Sequence, residues 1–445
     1  MGSLSFKGGI HPEDKKELAE NLPIEYLPAP ERVVIPLRQH IGAPCKPAVE
    51  VGDRVKKGQL LGEAQGFVSA NIHASLSGEV EAVGPNNHPT GTPVEAVTIV
   101  SDGQEEWHPE VKPVGELEEL TPEDIRQAVW NAGIVGMGGA AFPGHVKLET
   151  PPDKPPIDTV IINGAECEPY LTADHRLMLE RPDDVLYGLK LMMKALGAET
   201  GIIGIEENKP DAVASMKKTV EGEENIRVAS LHTKYPQGAE KMLIYSTTRR
   251  EVPSGGLPLD VGIVNHNVGT AVAVTESVRQ GKPLVERVIT YTGPGVKNPG
   301  NLKLRVGTLV KDVLEARGGL RDETCRLIVG GPMMGLAQTT AEVPVLKGTS
   351  GILALTREEM GVSPVEEGDC IKCSKCVDAC PVQLVPTFIA QASRYGLVDR
   401  AERYHAMDCI ECGSCSFICP AGIPLTKLIR EAKGKITEKR KAEQG

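Results

Sequence analysis

Between residues 49 and 80, apolar and polar positions alternate in short runs interrupted by glycine. V-E-V-G-D-R-V-K-K-G-Q-L-L (Val49–Leu61) and A-S-L-S-G-E-V (Ala74–Val80), with turns at Gly52, Gly58, Gly62 and Gly78, predict the short strands of a small β-sandwich over residues 45–85. The period changes at Thr121-Pro122-Glu123-Asp124, where a cap, a first-turn proline and early acids predict a helix ending near Gly133. Beyond it, apolar strands at Thr159–Ile162, Gly201–Ile205 and Val261–Val264 alternate with helical stretches at Asp183–Ala195, Pro210–Val220 and Thr270–Arg279. That alternation predicts an α/β layer fold. Residues 286–350 read as strand, turn, strand, helix (Leu309–Ala316) and further strand, a β-grasp pattern. In Pro386–Gly396 the apolar positions recur every three or four residues and predict a helix.

For 445 residues the length prior is about three domains. The pattern divides the chain further, into residues 1–119, 120–285, 286–355 and 362–435. With 40% apolar and 24% charged residues, neither a disordered chain nor a membrane-spanning bundle fits. The longest uncharged stretch, Gln127–Gly144, holds five glycines and a proline, so it reads as a loop and not as a membrane span. A net charge of −11 opposes a phosphate-binding surface and excludes nucleic acid as a partner. The N-terminus shows no apolar secretory signal, which places the expected location in the cytoplasm.

Cysteine usage changes the picture. Eight of the 11 cysteines fall in two copies of C-x2-C-x2-C-x3-C-P: Cys370, Cys373, Cys376 and Cys380 before Pro381, then Cys409, Cys412, Cys415 and Cys419 before Pro420. Three thiolates on one tight loop suit three irons of a cubane, and the fourth, carried onto the following helix, reaches the other cluster. The spacing therefore predicts two [4Fe–4S] clusters, one on Cys370, Cys373, Cys376 and Cys419, the other on Cys409, Cys412, Cys415 and Cys380. Zinc ribbons use paired C-x2-C and lack the x3-C-P continuation. The predicted helix between the motifs favours a helical ferredoxin topology. Cys45, Cys167 and Cys325 lie outside the cluster motifs and read as buried thiols, with Cys167 set apart because it sits inside the string N-G-A-E-C-E-P-Y (Asn163–Tyr170).

A second constellation is polar and glycine-rich. G-I-V-G-M-G-G-A-A-F-P-G-H-V-K, Gly133–Lys147, can bring the backbone of Gly136, Gly138 and Gly139 against a phosphate, with Lys147 supplying charge. It is not G-x-G-x-x-G, since Ala141 stands where the third glycine would fall. The strand before Asn163 runs into N-G-A-E-C-E-P-Y, and Y-P-Q-G-A-E-K (Tyr235–Lys241) and V-N-H-N-V-G-T (Val264–Thr270) follow. Polar groups at strand C-terminal ends mark the ligand crevice of an α/β sheet.

These strings resemble the flavin loop and its neighbours in the NADH-binding flavoprotein subunit of respiratory complex I. Together with G-G-I-H-P (Gly8–Pro12), Q-H-I-G-A-P (Gln39–Pro44), the sandwich, the β-grasp and the twin cysteine motif, the whole chain is similar to the RnfC subunit of Rnf complexes. The resemblance implies a multidomain α/β protein: a lipoyl-like barrel-sandwich domain, a Rossmann-like flavin/NADH domain, a β-grasp (SLBB) domain and a helical two-cluster ferredoxin domain. It further implies FMN held by Gly136, Gly138, Gly139, Lys147, Asn163, Glu166, Asn267 and Thr270, with Phe142, Glu168 and Glu240 near the nicotinamide nucleotide. The implied function is NADH oxidation at the peripheral, cytoplasmic side of a membrane ferredoxin:NAD oxidoreductase. Its partners would be the other membrane-bound subunits and, indirectly, ferredoxin, with no membrane span of its own.

Two positions depart from the pattern: Gly144 replaces the usual Thr, and His266 replaces Asn, either of which would weaken flavin retention. The sandwich has no lysine between Gly58 and Gly78, where a carrier lysine would stand, so a structural or docking role is expected instead. A soluble cobalamin reductase and a flavin-free docking scaffold are the alternative readings.

Overall fold

The computed structural model describes residues 4–360 and 367–444, so the expected domain edges at residues 1 and 362 lie outside the described residues. Strand β1 (Ile24–Tyr26) leaves the N-terminal region to join a sheet formed much later in the chain. The sandwich proper holds β2 (Arg32–Pro36), β3 (Lys46–Pro47), β4 (Arg54–Val55), β5 (Leu60–Glu63), β6 (Ile72–His73), β7 (Gly78–Asn86) and β8 (Val94–Ser101). They form one sheet of order β2-β8-β7-β4 and another of order β3-β5-β6. Alternating side chains of both, among them Val33, Ile35, Leu61, Ile72, Val97 and Ile99, close a core without exposed area. The β5–β6 hairpin, the carrier position of a lipoyl fold, docks: His145 Nε2 hydrogen-bonds the Phe67 carbonyl at 3.1 Å.

Helix α1 (Pro122–Asn131) opens on a reciprocal cap, with Asp124 N donating to Thr121 Oγ1 and Thr121 N to Asp124 Oδ2. It stops where Gly133 turns to φ 60°. There follow α2 (Gly144–Lys147), β9 (Thr159–Gly164), α3 (Ala173–Glu180), α4 (Pro182–Leu196), β10 (Thr200–Glu206), α5 (Pro210–Thr219), β11 (Ile226–Leu231), α6 (Glu240–Thr248), β12 (Ile263–Asn267) and α7 (Val268–Arg279). The sheet is parallel with order β11-β10-β9-β12. Strand order reverses at β9, so the crevice opens above the C-terminal ends of β9 and β12.

The third unit contains β13 (Glu286–Thr292), β14 (Gly300–Arg305), α8 (Val310–Ala316), β15 (Thr324–Val329), β16 (Leu336–Gln338) and β17 (Gly351–Thr356). Its sheet has order β1-β14-β13-β17-β15-β16. Residues 24–26, grouped by sequence with the first domain, thus belong to this sheet, where Ile24 pairs with Asn301 and Tyr26 with Lys303. They cover the otherwise open edge of β14. The last unit is α9 (Lys375–Asp378), α10 (Pro386–Arg394), α11 (Val398–Arg403), α12 (Ser414–Phe417) and α13 (Leu425–Gln444), with no strand among its described residues. Ile389, Ala392, Ala401, Ile429 and Ile436 form its core.

Buried cations join the units. Lys347 donates to Asn71 O at 2.6 Å and Gly133 O at 2.7 Å, which ties the sandwich and the β-grasp to the residue where the glycine loop begins. Lys282, just past α7, bonds Glu286 on β13, and Lys303 on β14 lies 3.8 Å from Glu276 on α7, so both bridge the α7–β13 junction. A lone ammonium in such places would be costly, so these contacts hold the domains in one arrangement.

Candidate functional site

The glycine loop is closed at its neck and pinned at one point. Gly136 N donates to Phe142 O and Gly144 N to Ile134 O, both at 2.8 Å. Met137 N donates to Thr270 Oγ1 at 3.0 Å, and Arg287 reaches Met137 O at 3.1 Å. A Cβ on Gly138 would stand 3.0 Å from the Asn267 amide nitrogen, so only glycine allows that approach. Around Gly139, by contrast, no described atom beyond its chain neighbours lies within 4 Å of a Cβ, so that side of the loop is open. Phe142 is half-buried at the neck. Gly144 faces inward: a Cβ there would meet Ile134 O at 3.1 Å and Val129 at 3.3 Å, which gives glycine a packing reason where the related pattern has Thr.

Lys147, at the end of α2, donates to Glu240 Oε1 at 2.9 Å and to Asn265 O at 3.1 Å. Glu240 is the first residue of α6. The strands supply the facing polar groups. Asn163 on β9 and Asn267 on β12 stand side by side in register. Asn163 donates to Gly238 O at 2.8 Å, while Asn267 caps α7 through Gly269 N at 2.8 Å and donates to Asp174 at 2.6 Å. Glu166 accepts from the first amides of α3, Asp174 N at 2.7 Å and His175 N at 3.1 Å. Burial, reinforced by the neighbouring Glu166 carboxylate, raises Asp174 to about 7.

Glu168 turns onto the β-grasp. It accepts from Met333 N at 2.9 Å and Met334 N at 2.8 Å, and burial raises its pKa to about 7 in spite of those bonds. Sequence reasoning missed the cations that hold this acidic turn: Lys16 donates to Glu166 O and Glu168 O at 3.0 Å, and Lys209 to Ala165 O at 2.7 Å. Lys16 lies some 150 positions upstream, and no local pattern marks it. Arg287 and Asp174 escaped notice for the same reason.

Several buried polar atoms at the strand ends have no hydrogen-bond partner among the described residues: both amide atoms of Gln237, Asn265 Oδ1, and both ring nitrogens of His266. Such atoms are costly unless a ligand or water meets them. Burial, with Lys147 nearby, lowers the His266 pKa to about 3, so the ring is neutral at ordinary pH. An open glycine backbone, a lysine and unsatisfied polar atoms are the donor set that a flavin phosphate and a flavin ring require.

The cysteine loops repeat one backbone design. Lys372 and Ser374 flank Cys373 with φ 56° and 62°, and Glu411 and Gly413 flank Cys412 with φ 55° and 84°. These left-handed residues give both loops the same local coil. Cys376 has Cys419, Cys370 and Cys373 as electrostatic neighbours, whereas Cys409 and Cys415 have Cys412 and Cys380. Cys380, Cys409, Cys412 and Cys415 line one small cavity walled by Leu384, Ile410 and Ile429. No three His, Cys, Asp or Glu side chains among the described residues surround a single-ion position. Four sulfurs that each bind a different iron need not do so. Cys370 and Cys373 are exposed, while Cys380, Cys412 and Cys415 are buried. Of the three remaining cysteines, Cys45 is buried as expected and Cys167 half-buried, but Cys325, on β15, is exposed and not buried. The two sites meet at Tyr235, whose hydroxyl donates to the Cys412 carbonyl at 2.7 Å.

Four family models match successive parts of the chain: the RnfC barrel sandwich hybrid domain over residues 4–104, the Nuo51 FMN-binding domain over 129–276, the SLBB domain over 288–337 and the 4Fe-4S dicluster domain over 369–423. The chain thus carries an FMN-binding domain and a dicluster domain containing all eight motif cysteines. It is 50% identical over 437 residues to the RnfC-type subunit of the Na(+)-translocating ferredoxin:NAD(+) oxidoreductase complex of Acetobacterium woodii, covering 98% of each chain. With the proton-translocating counterpart of Clostridium ljungdahlii it shares 49% identity over 404 residues, 91% of this chain and 88% of that one. The corresponding subunit of the ion-translocating oxidoreductase complex of Rhodobacter capsulatus is 45% identical over 442 residues, 99% of this chain and 84% of that one. Among solved structures, an NAD+-reducing [NiFe]-hydrogenase chain in the H2-reduced state shares the fold, with TM-score 0.51 and 20% identity over 73% of this chain and 63% of that one. The chain belongs to the RnfC family, the subunits of Rnf-type ion-translocating ferredoxin:NAD(+) oxidoreductase complexes that join a barrel-sandwich, an FMN-binding, an SLBB and a dicluster domain.

Proposed function

We propose that this chain takes hydride from NADH at FMN and passes the electrons, one at a time, through two [4Fe–4S] clusters to the other subunits of a membrane complex. Electron flow would reverse when ferredoxin drives it. The observation that carries this reading is the Tyr235–Cys412 hydrogen bond, because it joins a strand-end loop of the flavin crevice directly to a cluster loop. FMN supplies the conversion from two-electron to one-electron transfer that a cubane cannot perform.

In this reading the backbone of Gly136, Gly138 and Gly139 and the Lys147 ammonium would hold the flavin phosphate, and Asn163 would stand by the ring. Glu166, Asn267 and Thr270, already bonded to α3, α7 and the loop, keep the crevice walls in place. Phe142 and Glu240 face the nicotinamide nucleotide. Glu168, bonded to the β-grasp amides, stiffens the rim beside it. Cys380, Cys409, Cys412 and Cys415 hold the inner cluster, next to Tyr235. Cys370, Cys373, Cys376 and Cys419 hold the outer one, whose exposed cysteines suit delivery to a partner. Among the described residues no helix is long and apolar enough to cross a membrane; in this reading the subunit sits at the cytoplasmic face of the complex.

Anaerobic purification followed by flavin, iron and sulfide analysis tests the reading. FMN, and iron and sulfide sufficient for two [4Fe–4S] clusters, are expected, with NADH bleaching both chromophores. A chain that binds the clusters but no flavin would instead be a docking scaffold.

A further inference from the structure

We infer that residues Leu4–Lys16 form a strap that positions the inner cluster against the flavin crevice, with Gly8 and Gly9 as its positioning residues. The inference rests on the function proposed above and assigns a task to the G-G-I-H-P string, which neither the crevice nor the clusters use.

The strap leaves its own sandwich domain and pairs with the flavin domain. Leu4 bridges Leu231 at the end of β11, and His232 N donates to Leu4 O at 3.0 Å. Ile10 and Tyr235 exchange both backbone hydrogen bonds, at 2.8 and 2.9 Å. Between these points the Lys234 ammonium sits 3.9 Å from the centre of the Phe6 ring and donates to Gly8 O at 2.9 Å. At the far end, Lys16 holds the Glu166 and Glu168 carbonyls.

Its other side faces the cluster domain. Gly9 N donates to Ala379 O at 3.0 Å. A Cβ on Gly8 would stand 2.7 Å from Cys380 O, and one on Gly9 would stand 2.8 Å from Tyr235 O. Both residues have positive φ, 84° and 85°, so glycine is required by conformation and by space. Ile10, Tyr235, Ala379 and Cys412 share one buried apolar cluster. Cys380 and Cys412 belong to the same four-cysteine set, so the strap grips the inner cluster's loops at two places while holding the acidic turn of the crevice with Lys16. Beside the strap and Tyr235, the flavin and cluster domains are linked by Ser254 and Gly255 donating to the half-buried Asp408 carboxylate. Transfer between two fixed centres is sensitive to displacements of an ångström.

The test compares three variants of the full, cofactor-loaded chain: Gly8→Ala, Phe6→Ala, and the control Gly52→Ala, which imposes the same φ strain (91°) with no atom within 4 Å. Two readouts are taken, anaerobic stopped-flow bleaching of flavin and clusters by NADH, and hydrogen exchange of residues 376–384 and 409–415. Gly8→Ala and Phe6→Ala are expected to keep NADH bleaching of the flavin, to slow cluster bleaching on the order of tenfold, and to speed exchange in both segments. Gly52→Ala should match the parent in each. Parent-like exchange and cluster bleaching in both strap variants would overturn the inference, as would equal slowing in Gly52→Ala. If Gly8→Ala loses iron, Phe6→Ala decides, since it shortens a side chain and adds no clash. A parent chain whose flavin NADH does not bleach would refute the proposed function, and exchange alone would then decide the strap.

Discussion

Lys147 and Glu240, 93 positions apart, form an ion pair at 2.9 Å across the mouth of the crevice. The pair joins the two charges that sequence reading assigned to different ligands, the flavin phosphate and the nicotinamide nucleotide. It is partly exposed, so its own stabilising worth is small, and its importance lies in the charge presented to a ligand.

Glu240→Gln removes the acid that would repel a 2′-phosphate. We expect the NADH/NADPH ratio of kcat/KM with an artificial acceptor to fall on the order of ten- to hundredfold, mainly through better use of NADPH. An unchanged ratio in a variant that retains FMN would remove Glu240 from cofactor selection.

Gly138 and Gly139 separate packing from binding. Gly138→Ala crowds the Asn267 side chain at 3.0 Å and should lower both thermal stability, by roughly 1–3 kcal/mol, and flavin content. Gly139→Ala meets no atom of the chain, so it should leave the melting temperature within about a degree or two of the parent while reducing flavin content. Flavin absorbance per chain beside calorimetry checks both, and full flavin occupancy in Gly139→Ala would refute its place against the phosphate.

Cys419→Ala should abolish the cluster shared with Cys370, Cys373 and Cys376 and spare that of Cys380, Cys409, Cys412 and Cys415. Iron analysis and low-temperature EPR of the reduced protein would show about half the iron and one remaining signal. Retention of both clusters, or loss of the inner one alone, would contradict the crossed ligation.

His266 makes stability depend on pH. Its folded pKa, about 3, lies below the unfolded value of 6.5. The neutral ring therefore contributes stability fully above pH 6.5, and that contribution is lost as pH falls towards 3, because the unfolded chain takes up the proton first. Near pH 5.5 the loss is about 1 kcal/mol. His266→Asn should show a smaller fall in melting temperature between pH 7 and pH 5.5 than the parent. His73, lowered to about 3 by the same burial, keeps part of the slope in both proteins. Equal slopes would mean that His266 is not the buried neutral ring described here.

Sequence by itself determined the elements and the chemistry that repeats at short range. Apolar spacing placed α4, α5, α7 and α10 within a few residues of their ends, since helix and strand period are set by neighbours along the chain. The C-x2-C-x2-C spacing is likewise local and legible, whereas the nearness of Cys419 to Cys376, some forty positions apart, is set by how the two loops pack. What tertiary structure alone decided are the contacts between distant segments. The joining of β1 to β14, the holding of the acidic turn by Lys16, the turning of Glu168 onto the β-grasp and the passage of the Gly8–Gly9 strap beneath Cys380 depend on which open edge or unpaired carbonyl lies nearby after folding. Backbone groups at such edges carry no side-chain signature, so the residues that satisfy them leave no pattern along the chain.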